Sequence, residues 1–183
     1  MKKSEWATKM INAGYRDDVC PEAFEKLADW CERAQDREHS KGLLLRGPVG
    51  TGKTLFLTTC LGKCRMLTGR RIVAMYNERG PTREWHQAIH GYYVDTLVRT
   101  APRSLIIDDA GTEPVAVHYG QKQDCLGDVL LDRYDYWQRH GAKTFITTNL
   151  PPLNFDRRYG RRVSDRVGEM CEVIEFYGAS ARQ

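Results

Sequence analysis

The sequence lacks any apolar run close to the ~20 residues that a helix needs to cross a bilayer. Its start, MKKSEWATKM, is charged and contains no apolar segment of the kind found in signal peptides. Its six cysteines include no CxxC pair, and no histidine pair completes a zinc-finger set. We therefore expect a cytoplasmic chain without membrane association, whose cysteines are reduced thiols.

The chain also shows no internal repeat and no low-complexity segment. Its 183 residues, 41% hydrophobic and 28% charged, suffice for one globular domain with a sizeable core. The net charge is +4, and arginines outnumber lysines by 19 to 9. Because the guanidinium fork suits bidentate contacts to phosphate and carboxylate, this composition permits a nucleic-acid partner without requiring one.

Five short stretches predict β-strands, because they are rich in β-branched residues or leucine. They are Gly42–Leu45, Arg71–Tyr76, Ser104–Ile107, Thr144–Thr148 and Glu172–Tyr177. The first four lack strict alternation, as expected for strands buried on both faces, whereas the last alternates as an edge strand does. Helices are predicted between them at Thr54–Leu67, Arg83–Arg99 and Gln121–His140. This alternation predicts an α/β domain built on an open, parallel, five-stranded sheet.

The first 38 residues differ from the rest and predict a short N-terminal helical arm (1–38) ahead of the α/β core (39–183). One helix is expected at Ser4–Ala13 and another from Pro21. The second helix carries an apolar stripe of Phe24, Leu27, Trp30, Cys31 and Ala34. The arm is too short for an independent domain, so we expect it either to pack on the sheet or to dock a partner.

A phosphate-binding motif follows the first predicted strand directly. Gly47–Thr54 reads GPVGTGKT and satisfies the pattern GxxxxGK[ST]. Its glycines let backbone N–H groups surround a phosphate at the N-terminus of the next helix, Lys53 can reach the β- and γ-phosphates, and the hydroxyl of Thr54 can bind Mg²⁺. The sequence thus predicts a site for ATP and Mg²⁺. The residues predicted to bind the nucleotide are Gly47, Pro48, Val49, Gly50, Thr51, Gly52, Lys53, Thr54 and Leu55.

Polar side chains end two other predicted strands, and ligands bind at the carboxyl ends of strands in open parallel sheets. Asp108 is predicted to join Thr54 at Mg²⁺, and Asp109 to orient and deprotonate the attacking water. Glu113 is the alternative base. Asn149 is predicted to contact the γ-phosphate or that water, which requires the fourth predicted strand to lie between the first and the third.

Together these segments resemble the AAA+ ATPases of the DnaC/IstB group, which comprises bacterial and phage helicase loaders and transposition helper ATPases. The resemblance covers about 42–182 and is carried by GPVGTGKT, LIIDDAGTE, ITTNL and YGRRVSDRVGEM. It implies a P-loop NTPase fold of the AAA+ (ASCE) type. With 34 residues after Asn149, no separate C-terminal lid domain is expected. The arm is shorter than the helicase-binding domain of typical loaders, which leaves the partner open.

The same resemblance assigns roles to the arginine-rich segment 155–166. It implies that Arg166 is an arginine finger, which reaches the nucleotide of a neighbouring subunit in a head-to-tail homo-oligomer. Arg182 would be a second sensor that contacts the nucleotide. Candidates for contacts with DNA or a neighbouring subunit are Tyr119, Lys122, Arg157, Arg158, Arg161 and Arg162. The first two lie in a predicted polar loop, Gly111–Gln123, which can equally be a plain connection.

The function expected from these residues is ATP hydrolysis in an oligomer on DNA, with single-stranded DNA favoured. A DnaC-like loader of a replicative helicase is the preferred reading, and an IstB-like helper of a transposase is the alternative. From another class, the chain can be a nucleotide-dependent binding switch with little hydrolysis. A P-loop kinase would leave Asn149 and Arg166 unexplained.

One further pair of residues has a spacing that can bind metal. His86 and His90 lie four residues apart on a predicted helix, as zinc ligands often do. No glutamate follows His86 and the sequence indicates no third ligand, so a packed or exposed histidine pair is the preferred interpretation.

Overall fold

The structure is a computed structural model that describes residues 3–15, 20–33, 41–61, 64–90, 94–95, 98–99 and 104–177. Its helices are α1 (Lys3–Asn12), α2 (Pro21–Arg33), α3 (Lys53–Cys60), α4 (Gly69–Arg79), α5 (Arg83–His90), α6 (Cys125–His140), α7 (Pro152–Tyr159) and α8 (Arg161–Met170). Its strands are β1 (Gly42–Arg46), β2 (Arg65–Thr68), β3 (Val94–Asp95), β4 (Val98–Arg99), β5 (Leu105–Ala110), β6 (Ala116–His118), β7 (Gln121–Gln123), β8 (Thr144–Thr148) and β9 (Cys171–Glu175).

The centre of the fold is a five-stranded sheet in the order β2-β5-β8-β1-β9. All four pairings in it are parallel, as the alternation of strands and helices predicts. β8 lies between β1 and β5, which confirms the strand order that a role for Asn149 requires. β9 lies at one edge, where its alternating sequence places it.

Helices cover both faces of this sheet. Leu44 of β1 and Ile107 of β5 face a core that is completed by α4 to α8. Leu43 and Leu45 face the opposite core, together with α1, α2 and α3. Because successive residues of a strand point to opposite faces, a continuously apolar strand supplies both cores.

The N-terminal arm packs on the sheet. Trp6 of α1 and Leu27 of α2 are completely buried in the core that they share with β1 and α3. The indole N–H of Trp6 donates to the Cys60 sulfur, which joins α1 to the end of α3 at 2.7 Å. Ala34, the last residue of the predicted stripe, lies outside the described residues.

The prediction for the second strand is wrong. Arg71–Tyr76 lies in α4, and the strand is β2, whose first three residues were expected to end the preceding helix; that helix, α3, ends at Cys60. The side chain of Thr68 caps α4 by accepting from the amide of Arg71 at 3.1 Å. The apolar residues of the stretch are spaced for a helix and lie buried on one side of it, namely Ile72, Val73, Met75 and Tyr76. β2 gives little apolar signal because it is a partly exposed edge strand.

Two predicted helices also have different bounds. α5 ends at His90, and the short strands β3 and β4 pair antiparallel within the segment expected to continue it. α6 begins at Cys125, where the Asp124 side chain accepts from the amide of Gly127 at 3.4 Å. The predicted polar loop before it contains the antiparallel pair of β6 and β7, which turns at Tyr119 and Gly120 with φ of 48° and 79°.

The longest helix in the described part of the chain, α6, has 16 residues, and none there combines the length and apolar character of a bilayer crossing. All six cysteines lie in described residues, and none forms a disulfide.

Candidate nucleotide-binding site

The motif GPVGTGKT forms the loop between β1 and α3. Gly52 has φ of 89°, a left-handed conformation that favours glycine. A Cβ atom there would lie 2.6 Å from the ring of Tyr15, so the N-terminal arm lies against this loop. α3 begins at the next residue, and the N–H groups of its first turn point out of the helix, as an anion site requires.

Lys53 is held inside the loop, with 5% of its surface exposed. Its Nζ donates to the carbonyl oxygens of Gly47 at 2.7 Å and Pro48 at 2.6 Å. Burial lowers the pKa of Lys53, while the negative charges of Asp109 and Asp108 act to raise it. The ammonium group therefore lies near both carboxylates, at the position where a phosphate-binding lysine is expected.

Asp108 of β5 is the centre of a hydrogen-bonded group that includes residues of β8 and of α3. Its Oδ1 accepts from the hydroxyl of Thr54 at 2.8 Å and from the hydroxyl of Thr147 at 2.7 Å. Both hydroxyls and the carboxylate are the hard oxygen ligands that Mg²⁺ prefers. The residues present therefore fit the predicted Mg²⁺ ligands, Thr54 and Asp108.

Asp109 differs from Asp108 in conformation and in exposure. Its φ is 54°, which is uncommon for a residue other than glycine, and β5 shifts its register with β8 at this point. The conformation is held by the amide of Asp109, which donates to the Thr147 hydroxyl at 2.8 Å, and by its carbonyl, which accepts from the Thr112 hydroxyl at 2.9 Å. As a result Asp108 is buried and Asp109 is exposed, which suits the different roles predicted for them.

Glu113 has a fully buried carboxylate that is bonded within the chain. It accepts from the amide of Gly111 at 2.8 Å, from Arg158 at 2.9 Å and from the hydroxyl of Tyr159 at 2.7 Å. Arg158 also pairs with Asp124 at 3.1 Å. Burial and the charge of Glu113 raise the pKa of Tyr159, so this phenol remains a hydrogen-bond donor. These contacts join the loop after β5 to α7 and keep Arg158 inside the molecule.

The end of β8 contains two hydroxyls at the candidate site that sequence reasoning missed. Thr147 joins Asp108 and Asp109, and the hydroxyl of Thr148 donates to the carbonyl of Ala110 at 2.7 Å. Both threonines are completely buried, whereas Asn149 after them is half-buried. The sequence contains a signal for these hydroxyls, because two threonines end a strand that is otherwise apolar and central to the sheet.

The remaining polar candidates lie at the surface. Arg157, Arg161 and Arg162 are exposed on α7 and α8. Tyr119, at the turn between β6 and β7, is 94% exposed, and Lys122 is exposed on β7.

Arg166 contacts α6. Its guanidinium lies 4.3 Å from the centre of the Tyr134 ring, and one of its nitrogens lies 3.9 Å from the Glu169 carboxylate. Tyr134 in turn donates its hydroxyl to Glu169. The side chain of Arg166 remains 39% exposed, so it is accessible to a neighbouring molecule. Arg182 lies outside the described residues.

No protein-family model matches the chain, and no curated protein matches its sequence. Solved structures with a similar fold do exist. A protein from Streptococcus pyogenes serotype M3, proposed to be a primosome component, is 23% identical, with a TM-score of 0.61 over 88% of this chain and 81% of that one. The DnaC helicase loader is 18% identical, with a TM-score of 0.60 over 85% of this chain and 88% of that one. The chain has the fold of the DnaC helicase loader.

A third solved structure is the replication initiator DnaA bound to AMPPCP and single-stranded DNA. It is 12% identical, with a TM-score of 0.57 over 83% of this chain and 46% of that one. These similarities confirm the α/β fold with a parallel five-stranded sheet that the sequence predicts.

Proposed function

We propose that this protein binds and hydrolyses ATP and uses that cycle to load a replicative helicase on DNA. One observation carries the proposal: Asp108 accepts hydrogen bonds from Thr54 of the phosphate-binding loop and from Thr147 of the neighbouring strand. These two hydrogen bonds connect the phosphate-binding loop, the proposed metal ligands and strand β8 in one site. A glycine-rich turn without a nucleotide-binding role is not expected to make these hydrogen bonds.

In this proposal Lys53 exchanges its bonds to loop carbonyls for bonds to the β- and γ-phosphates. Thr54 and Asp108 hold Mg²⁺, which when bound neutralises phosphate charge. Asp109 orients the attacking water and accepts its proton, because it is exposed and its negative charge acts on Lys53, whose pKa it tends to raise. The carboxylate of Glu113 is already bonded to Arg158 and Tyr159, which supports Asp109 as the base.

We assign the arginine finger to Arg166 and propose that it acts on the nucleotide of a neighbouring subunit. The support is its position on α8, where it contacts Tyr134 of α6 and Glu169 of α8 while remaining partly exposed. A cation supplied by a second subunit stabilises charge in the transition state and makes hydrolysis depend on assembly. The expected assembly is a head-to-tail homo-oligomer.

The proposal for DNA rests on exposed cationic and aromatic side chains. Arg157, Arg161 and Arg162 can contact phosphates, and Tyr119 beside Lys122 can stack on an unpaired base. The proposal of a replicative helicase as partner is supported by the fold shared with the DnaC helicase loader, and that of single-stranded DNA by the fold shared with DnaA.

The test is steady-state ATPase activity of the purified chain with Mg²⁺, alone and with single-stranded or duplex DNA. We expect turnover that rises with single-stranded DNA, and DNA affinity whose logarithm falls linearly with the logarithm of salt concentration. Almost no turnover in any condition would favour a nucleotide-dependent binding switch. Turnover indifferent to DNA, with an affinity flat in salt, would contradict the DNA role.

An IstB-like helper of a transposase is the alternative within the same fold. Size-exclusion chromatography of the chain with ATP and the purified cognate replicative helicase separates the two. A stable complex with the helicase supports loading, whereas a complex formed with the cognate transposase instead supports the alternative.

A further inference from the structure

Three side chains that can bind a metal converge between α5 and α6, away from the nucleotide-binding loop. His86 and His90 lie one turn apart on α5, and Asp132 lies on α6. Oδ2 of Asp132 lies 3.5 Å from Nδ1 of His86 and 3.6 Å from Nε2 of His90. All three ligand atoms lie within 4.8 Å of one another. The sequence showed the two histidines, and the fold supplies the third ligand.

His90 is buried without the partners that a buried imidazole needs. Its side chain is 0% exposed, and neither ring nitrogen has a hydrogen-bond partner among the described residues. Its contact with Asp132 is longer than a hydrogen bond. A buried polar group left unbonded destabilises a protein, so its retention calls for an explanation. A metal ion bound between His90 and Asp132 gives the imidazole and the carboxylate a bonding partner.

The distances suit a tetrahedral ion. Bonds of about 2.0–2.1 Å to nitrogen and oxygen separate the ligands of tetrahedral zinc by about 3.3 Å. The two contacts of Asp132, at 3.5 and 3.6 Å, are close to that separation. The ring of His86 is 40% exposed and can turn toward the site. Two imidazoles select a transition metal over Mg²⁺ or Ca²⁺, which prefer oxygen ligands.

We propose that His86, His90 and Asp132 form a Zn²⁺ site that fastens α5 to α6. His86 and Asp132 also line a cavity of about 270 Å³, together with Tyr76, Gln123 and Asp128 among others, which leaves room for a fourth ligand. Water completes the coordination there. The site shares no residue with the loop that binds the nucleotide.

The test is metal binding by the full chain, stripped with a chelator and kept free of nucleotide. Isothermal titration with Zn²⁺ and the visible absorption of Co²⁺ report stoichiometry and ligand type. We expect one ion per chain and a tetrahedral Co²⁺ spectrum without a thiolate charge-transfer band. His86→Gln and Asp132→Asn should each weaken binding about tenfold or more, since loss of even an indirect metal contact costs that much.

Two variants serve as matched controls. His140→Gln and Asp135→Asn change an exposed histidine and an exposed aspartate of α6, the helix that carries Asp132, and should bind metal as the parent does. His86 and Asp132 are both partly exposed, so their variants should fold, which circular dichroism checks. Unchanged affinity in the folded variants, a thiolate band, or no binding at micromolar Zn²⁺ would each overturn the site.

Discussion

The hydroxyl of Thr147 donates a hydrogen bond of 2.7 Å to Asp108, across the two adjacent strands β8 and β5. The same hydroxyl oxygen accepts the amide of Asp109 at 2.8 Å. One threonine therefore orients the predicted metal ligand and holds the strained backbone of the predicted base. Preorganisation of this kind lets a site act on a substrate without rearranging.

Thr147→Val should lower turnover more than it lowers ATP affinity, because it removes both hydrogen bonds while keeping the shape of the side chain. The unfolding free energy should fall by about 1–3 kcal/mol, since a buried carboxylate and a partly buried amide lose a partner. ATPase assays and urea unfolding measure the two effects. Thr147→Ser keeps the hydroxyl and should restore turnover, and a fully active valine variant would remove Thr147 from the site.

Lys53→Ala should weaken ATP binding, because it removes the positive charge near the β- and γ-phosphates while leaving the fold intact. Equilibrium titration with a fluorescent ATP analogue measures the affinity. Lys26→Ala, which changes an exposed lysine of α2, is the control and should bind as the parent does. Parent-like affinity in a folded Lys53 variant would mean that this loop is not the binding site.

Asp109→Asn should retain ATP and lose turnover by about 10²–10⁴-fold, the contribution of a positioned general base. The amide keeps the size of the side chain but cannot accept the proton. Single-turnover hydrolysis together with ATP titration separates the two properties. The exposed Asp135 provides the control variant Asp135→Asn, and hydrolysis that survives in Asp109→Asn would assign the base to another group.

Glu113→Gln should act on stability rather than directly on the chemistry. The buried carboxylate accepts hydrogen bonds from Arg158 and Tyr159, and its neutral replacement leaves Arg158 with Asp124 as its remaining anionic partner. We expect the free energy of unfolding to fall by about 1–3 kcal/mol in urea titrations. Glu25→Gln, at an exposed position of α2, should be silent. Lost turnover at unchanged stability would instead identify Glu113 as the base.

Arg166→Ala should bind ATP nearly as the parent does and lose hydrolysis by about 10³–10⁵-fold, the value of an arginine finger. Arg139→Ala, which changes an exposed arginine of α6, should keep activity. Mixing Arg166→Ala with Lys53→Ala is the sharper experiment, because an interface between the intact loop of one chain and the intact finger of the other should regain turnover. Mutants that co-assemble without rescue would contradict a finger that acts between subunits.

Local sequence was sufficient for the phosphate-binding loop and for four of the five strands of the sheet. The glycines of GPVGTGKT permit the backbone conformation of the loop. The strands β1, β5, β8 and β9 are short apolar runs with clear ends. The order of β8 between β1 and β5 also followed, because Asn149 needs the carboxyl end of a strand beside the loop. The loop and the strands depend on residues that are neighbours in the chain, whereas the strand order followed from the role predicted for Asn149.

The tertiary structure decided what depends on distant residues. Arg71–Tyr76 is apolar enough for either a strand or a helix, and Thr68 with the core beneath α4 selects the helix. Glu113 is the alternative base in the sequence, and only the fold shows that Arg158 and Tyr159, far along the chain, donate hydrogen bonds to its carboxylate.

Convergence across the fold also lies beyond local pattern. Thr147 contacts Asp108 because β8 and β5 are adjacent strands. Asp132 lies more than 40 residues after His90 in the sequence and approaches His86 and His90 because α5 and α6 pack together. Periodicity along one chain segment determines which face a side chain takes. Packing between segments determines which other side chains it contacts, and those contacts form the candidate sites of this protein.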